Sequence, residues 1–468
     1  MNTSQTSKLR RHAVALLAAA TLAVSAGQAH AGGFTACDAP FVFSGAAANV
    51  VPLEFLATAA DSKFSDDRRA ERLQFTAQHL AWLIKLDSWH QPTYGSLGVV
   101  AHMFVRRKCE PDTVLRNLLR GGASEPVRAG QVLVMLQGRI FVEGERIYLQ
   151  SRLRALRRNA DRYDDKARIG DHVAPEALSV RLGDSGRRLS ARLPPLDVTF
   201  APRAIDAGEL AAIDERFAEA SKVFPSRSMA GNGKPLRFEK GEPYAFTVQI
   251  GDDGWIRIEE MFGHAKGFIR VNPDVSRHLH QALPELDFLN GLLGFLRLSQ
   301  ARQGDDFAPP PRSAAGQAAG SLLRFVEHSR TGDDAEARAL ALALVGVLHA
   351  SADLRDFARP ASAEGWSTAR QSFAEAVRLA PHRGVYRNLL GVADAMLCCA
   401  GATVKVVADP ARAFADSLSL SPNDREALSN LDAFLARLSE MPQPPEGINV
   451  ARLAERRAVV RKVVDSYR

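Results

Sequence analysis

ARQSFAEAVRLAPHRGVYRNLLG, residues 369–391, is the stretch from which the chain is best read. Ala369, Phe373 and Ala376 recur at the spacing of one helix face. Pro381 stands where that helix must end, because proline lacks an amide proton and its ring clashes with the preceding turn. Leu390 and Gly391 follow in a second helical segment. The pattern then returns: Phe414, Ser417 and Pro422 reproduce Phe373, Ala376 and Pro381 at one constant offset. Leu431 follows Leu390 at that same offset. Helical segments therefore repeat in register along this part of the chain.

These residues resemble the tetratricopeptide repeat. Ala369, Phe373, Ala376 and Pro381 match the second helix and closing proline of that unit, and Leu390-Gly391 match the Leu-Gly of the next first helix. The family period is about 34 residues, so the longer spacing from Phe373 to Phe414 implies an insertion of about seven, placed within Cys399 to Asp409. Asp432 stands where the second unit should have glycine, and Pro410 replaces a small residue. The resemblance implies helix pairs whose apolar faces are buried only by stacking. Residues 312–358 are expected to add a divergent unit or cap, with Ala335 to Ala350, nearly all Ala, Leu and Val, sandwiched between neighbours. The helical domain is placed at 321–440, after a linker at 299–320 built around Pro309-Pro310-Pro311. A last helix, from Ile448 to Arg468 within 441–468, holds six Lys/Arg and two Asp/Glu. Its stripe of Val450, Leu453, Val460 and Val464, interrupted at Arg457, suits a cap on the array, and its charge suits an anionic membrane.

Residues 166–298 carry short strands. Ala177–Leu182 and Arg187–Leu193 flank Gly183-Asp184-Ser185-Gly186 as a hairpin, and Asp206 is placed to cap a helix with Leu210, Ile213 and Phe217 on one face. In Lys240 to Val271, Tyr244, Phe246, Val248 and Ile250 alternate with their neighbours. Trp255–Ile258 and Gly267–Val271 supply two more strands, and Lys222–Phe238 earlier ones. The three strands and tight turns resemble a bacterial SH3-like domain, which implies a small β-barrel binding a peptide or glycan through Tyr244, Trp255 and Phe268. Core packing is the other role open to Trp255.

Residues 32–165 alternate strand and helix signals. Leu73, Ala77, Leu80 and Ile84 mark the buried face of one helix. The turn Val142-Glu143-Gly144-Glu145 joins two strands. An α/β sandwich with a mixed sheet is expected. Gly138-Arg139-Ile140 leading into Ile147-Tyr148-Leu149-Gln150 is similar to the amino-terminal domains of TolB and CsgG-type envelope proteins, which implies an assembly or binding domain without catalysis. The fold class is therefore multidomain α+β: an α/β sandwich, a central SH3-like barrel and a helical repeat domain.

Residues 1–31 read as a signal peptide, with Lys8, Arg10 and Arg11 before an apolar run and Ala29-His30-Ala31 as the cleavage site. A bacterial periplasmic or secreted protein without a transmembrane segment is expected. That segment holds three basic and no acidic side chains, so the net charge falls from +7 to +4, too mild an excess to point to nucleic acid. In an oxidising compartment Cys37 and Cys109 read as a disulfide or as two buried thiols, and Cys398-Cys399 as packed thiols in a helix.

No phosphate loop, dinucleotide fingerprint, zinc pattern or H-E-x-x-H occurs, so no cofactor or metal site is assigned. Ser185 in Gly-Asp-Ser-Gly and His102 in Val-Ala-His are similar to segments of chymotrypsin-like proteases. Arg187 stands where that family has an oxyanion-loop glycine, and the chain between His102 and Ser185 is too short for the intervening strands. His278-Leu279-His280, on a helix begun at Pro273, would point its imidazoles apart as surface residues. No catalytic residue is assigned. The expectation is a non-enzymatic scaffold that binds envelope proteins, with peptidoglycan attachment as the alternative and a secreted serine hydrolase as the remote one.

Overall fold

The computed structural model describes residues 48–59, 67–90, 132–157, 176–182, 186–228, 233–235, 246–250, 255–260, 266–270, 273–301, 314–329, 332–351, 362–399, 410–440 and 450–466. Residues 1–31, read as a signal peptide, and Cys37, Cys109, His102, Ser185, Tyr244 and the stretch 400–409 lie outside them. The protein is mixed α+β with a carboxy-terminal helical region.

Strands β1 (Ala48–Ala59), β2 (Val132–Glu143) and β3 (Arg146–Arg157) begin a mixed sheet, β1 parallel and β3 antiparallel to β2. Glu143 pairs with Arg146, so Gly144-Glu145 form a two-residue turn. Gly144 takes φ 62°, the left-handed value such a hairpin turn asks of its first residue. Helix α1 (Asp67–His90) lies against β1 and buries the Leu73, Ala77, Leu80 and Ile84 face expected from their spacing. Strands β4 (Glu176–Arg181) and β5 (Arg188–Arg192) make the expected hairpin as a separate sheet. Two short strands, β6 (Asp197–Thr199) and β7 (Arg203–Ile205), then add to β3, so the sheet draws on residues either side of 165. Helix α2 (Ala207–Ala220) starts with a capping box: Asp206 accepts from the Glu209 amide at 2.8 Å, and the Glu209 side chain accepts from the Asp206 amide at 3.0 Å.

Strands β8 (Lys222–Val223) and β9 (Lys234–Pro235) pair with each other, and β10 (Phe246–Ile250), β11 (Trp255–Glu260) and β12 (Lys266–Arg270) form an antiparallel meander. The three strands read from Lys240 to Val271 are present, but among the described residues they do not close into a barrel. Strands β8 and β9 have two residues each, and the ladder beyond β12 is a single bridge between Phe224 and Phe268. Closure needs a continuous ladder around the sheet. The result is an open sheet.

Nine helices follow among the described residues: α3 (Pro273–Ala282), α4 (Glu285–Ala301), α5 (Ala314–His328), α6 (Ala335–Ala350), α7 (Ala363–Leu379), α8 (Gly384–Cys399), α9 (Pro410–Leu420), α10 (Arg425–Glu440) and α11 (Val450–Ser466). Helix α4 runs into, and α5 begins within, the stretch read as a linker. From α4 onward each helix packs on the next, and the alternate helices α4, α6, α8 and α10 also touch in sequence, giving a stack of pairs. Ala369, Phe373, Ala376 and Phe414 are fully buried, and Leu390 is half-buried. Pro381 and Pro422 stand in the turns that end α7 and α9.

A small residue under a large one holds each pair together. A Cβ at Gly391 of α8 would sit 2.7 Å from the Phe414 ring of α9, and one at Gly291 of α4 would overlap the Leu322 side chain of α5. Gly346 of α6 lies in the same way beneath Phe373 of α7, so α6 and α7 form a full pair, where the sequence pointed only to a divergent unit or cap. In the last pair Asp432 of α10 replaces the glycine, and Arg457 of α11 reaches it at 3.4 Å. The two departures from pattern thus answer each other: an ion pair stands in for glycine beneath phenylalanine. Helix α6 is buried on nearly all sides because α5, α7 and β6 surround it, as its composition implied.

Alanine in place of a mid-helix glycine usually stabilises by about 1 kcal/mol. At Gly391 overpacking reverses the sign, and Gly391→Ala is expected to destabilise by about 1–3 kcal/mol in denaturant unfolding. Trimming the ring in Gly391→Ala/Phe414→Leu should recover part of the loss. Gly320→Ala in α5, whose methyl would come no nearer than 3.9 Å to Arg324, should be neutral or stabilising.

Candidate functional site in the helical groove

The inner helices of the stack present one face to the β-structure: α4 meets β1, α6 meets β4 and β6, and α8 and α10 meet β5. A row of polar side chains lies along this seam. At the start of α4, Glu285 accepts from the Ser151 hydroxyl of β3 at 2.7 Å. Before α6, Asp334 accepts from the Ala201 amide at 2.7 Å. Burial pushes both carboxyls up from their ordinary range, against the opposing pull of the Ser151 and Ala201 donors.

The seam is most specific at β5. The Asn430 side chain of α10 accepts from the Ser190 amide at 2.9 Å and donates to the Ser190 carbonyl at 2.6 Å. Asn388 of α8 accepts from Asn430 at 2.9 Å and donates to the same carbonyl at 3.4 Å. Both asparagines are 1% exposed. In an antiparallel pair alternate residues turn their backbone groups away from the partner strand. Ser190 is one of these, and Asn430 closes that free edge as a neighbouring strand would. Ion pairs flank the contact: Arg187 with Glu440, and Arg192 with Glu426 at 2.8 Å. Arg192 is mostly solvent-exposed, so the second pair adds little stability. The groove thus holds the main chain of its own hairpin at Ser190.

A second polar cluster joins α1, α3, α4 and α5. His280 lies 3.0 Å from Asp87 and 3.2 Å from Asp287, one carboxylate at each ring nitrogen. Ser276 donates to Asp87, and Arg324 reaches Asp287 at 3.0 Å. Burial opposes the imidazolium, but bonds to Asp287 and Asp87 outweigh it and raise the His280 pKa to about 9. With both nitrogens donating, this ring has no lone pair for a base or a metal. His278 is exposed, as its position two residues away on a helix implied, whereas the expectation of a surface His280 is corrected. That expectation missed Asp87, far away in sequence, because helix packing alone brings it near.

The residues expected to bind ligand on the central sheet are partly brought together. Trp255 and Phe268 share one face with Arg257 and Arg270 by cross-strand register. Trp255 is only 7% exposed, with Phe224 edge-on at 5.8 Å and Arg270 over its ring at 5.7 Å. Arg227 covers Phe268 at 5.6 Å. The indole is largely spent on packing. Among the described residues no group of three or more His, Cys, Asp and Glu is placed to hold a metal, and no helix is long and apolar enough to cross a membrane. Compared with known proteins, the chain matches no family model, no curated protein and no solved structure.

Asn430→Ala orphans the Ser190 amide and leaves its carbonyl only the longer bond from Asn388, which should cost about 1–3 kcal/mol, with faster amide exchange at Ser190. Ser190→Ala keeps both main-chain bonds and should be nearly neutral. For His280, a folded pKa above the ordinary value gives stability fully present below about pH 6.5 and lost as pH rises through about 9. Unfolding free energy of the wild type should fall across that window by about 3 kcal/mol in denaturant titrations, and His280→Gln should flatten the decline.

Proposed function

We propose that this chain is a non-enzymatic adaptor of the bacterial cell envelope, exported by the signal peptide at 1–31. Its stacked helix pairs are of tetratricopeptide type, and its β10–β12 sheet is an open relative of the SH3-like module. The observation that carries the reading is the stack of helix pairs from α4 to α10, whose inner groove at Asn388 and Asn430 holds the chain's own β5 by its backbone. Supporting it are the Gly391–Phe414 and Gly346–Phe373 contacts, which make the stack a rigid support, and the recurrence of the Phe373–Pro381 pattern at Phe414–Pro422. Because the groove holds β5, the array braces the β-structure from within, and partner contact falls to the outer surfaces.

Crosslinking of the tagged full chain in cells, followed by mass spectrometry of the periplasmic fraction, tests this. A reproducible envelope protein partner is expected. Recovery of cell-wall material alone would favour attachment through the Trp255 and Phe268 face instead. Recovery of no reproducible partner overturns the adaptor reading.

A further inference from the structure

Helix α11 ends the described stack and packs on α10 through half-buried Val460 and the Arg457–Asp432 ion pair. About 100° around the helix from that contact lies an ordered stripe. At 3.6 residues per turn, Arg452, Arg456, Val459 and Val463 fall within about 60° of arc. All four are exposed, Val459 at 64% and Val463 at 41%. Terminal units of a helical stack normally turn a polar face to water. Here two of the four exposed large hydrophobic residues among those described stand four apart on the last helix. That spacing is the ridge one helix offers to the groove of another.

Resting on the adaptor reading, we infer that the outer stripe of α11 docks an amphipathic helix of a partner protein, acidic where it meets Arg452 and Arg456 and apolar where it meets Val459 and Val463. Two observations select this occupant. The helix Val450–Ser466 holds five basic and two acidic residues, so its field favours an anionic partner. The stripe also divides into a charged half and an apolar half, and a helix continuing the stack can match both. A membrane-lying helix instead spreads bulky Trp, Phe or Leu along its whole apolar face, and this stripe offers only two valines.

The test places a photo-crosslinking amino acid at Val459 or Val463 of the full chain in cells, with Leu323, 45% exposed on α5, as the control site. The expected adduct forms at 459 and 463, not at 323, and maps to a net-acidic helix of one protein. Arg456→Glu should weaken the adduct at Val459 at least about tenfold while leaving the melting temperature unchanged. Vesicles of phosphatidylglycerol and phosphatidylethanolamine should not float the protein. The inference is overturned by an adduct no stronger than at Leu323, by one insensitive to Arg456→Glu, by an adduct to lipid or to a second copy of this chain, or by flotation that Val459→Asp abolishes. A partner recovered with the full chain but not through these two sites would defeat this inference and leave the adaptor reading standing.

Discussion

A helix pair buries one face against its partner and leaves another in need of cover, and the larger features of this protein follow from how that need is met. In the stack the outer helices cover one side of each pair. The inner helices α4, α6, α8 and α10 find the remaining cover in strands of the chain's own β-structure. One hydrophobic core therefore runs from Leu73 of the first helix to Leu438 of α10. A seam between helices and strand edges also brings backbone amides and carbonyls out of water, where an unpaired group is costly. Ser190 finds Asn430, and Ala201 finds Asp334. The polar row makes the apolar contact possible.

Within the stack, close approach depends on pairing small with large. Glycine in a helix interior costs stability on propensity grounds, and its recurrence at Gly346 and Gly391 is explained by the rings of Phe373 and Phe414 lying where a Cβ would be. The last pair solves the same problem in another way. Asp432 and Arg457 are each about one-fifth exposed, a depth at which a charge keeps part of its hydration while gaining its partner. A helix contact partly open to water can use charge where a fully buried one needs a packed ring.

The buried charges elsewhere show the same division of labour. His280 between Asp87 and Asp287 looks like acid–base machinery when reduced to its residue types, yet each ring nitrogen already faces a carboxylate. The cluster ties four helices together and depends on the imidazolium to balance two acids in a low-dielectric setting. Trp255 is a parallel case: an aromatic suited to ligand contact that Phe224 and Arg270 occupy from within.

Local pattern determined much of this protein. The faces of α1, α2 and α7, the cap at Asp206, the turn at Gly144, the strands of the central sheet and the helical segments around Phe373 and Phe414 were all legible. Each rests on interactions between residues a few positions apart, and periodicity records those directly. Tertiary structure alone decided that the described central strands form an open sheet, that Gly346 completes a further helix pair beneath Phe373, and that His280 sits half-buried between two acids. It alone decided that Asn388 and Asn430 converge on Ser190, which lies far back in the sequence on another element. An asparagine in a helix carries no mark of the strand it will meet. Contacts of that length are selected by the shape of the whole stack, and no local spacing records them.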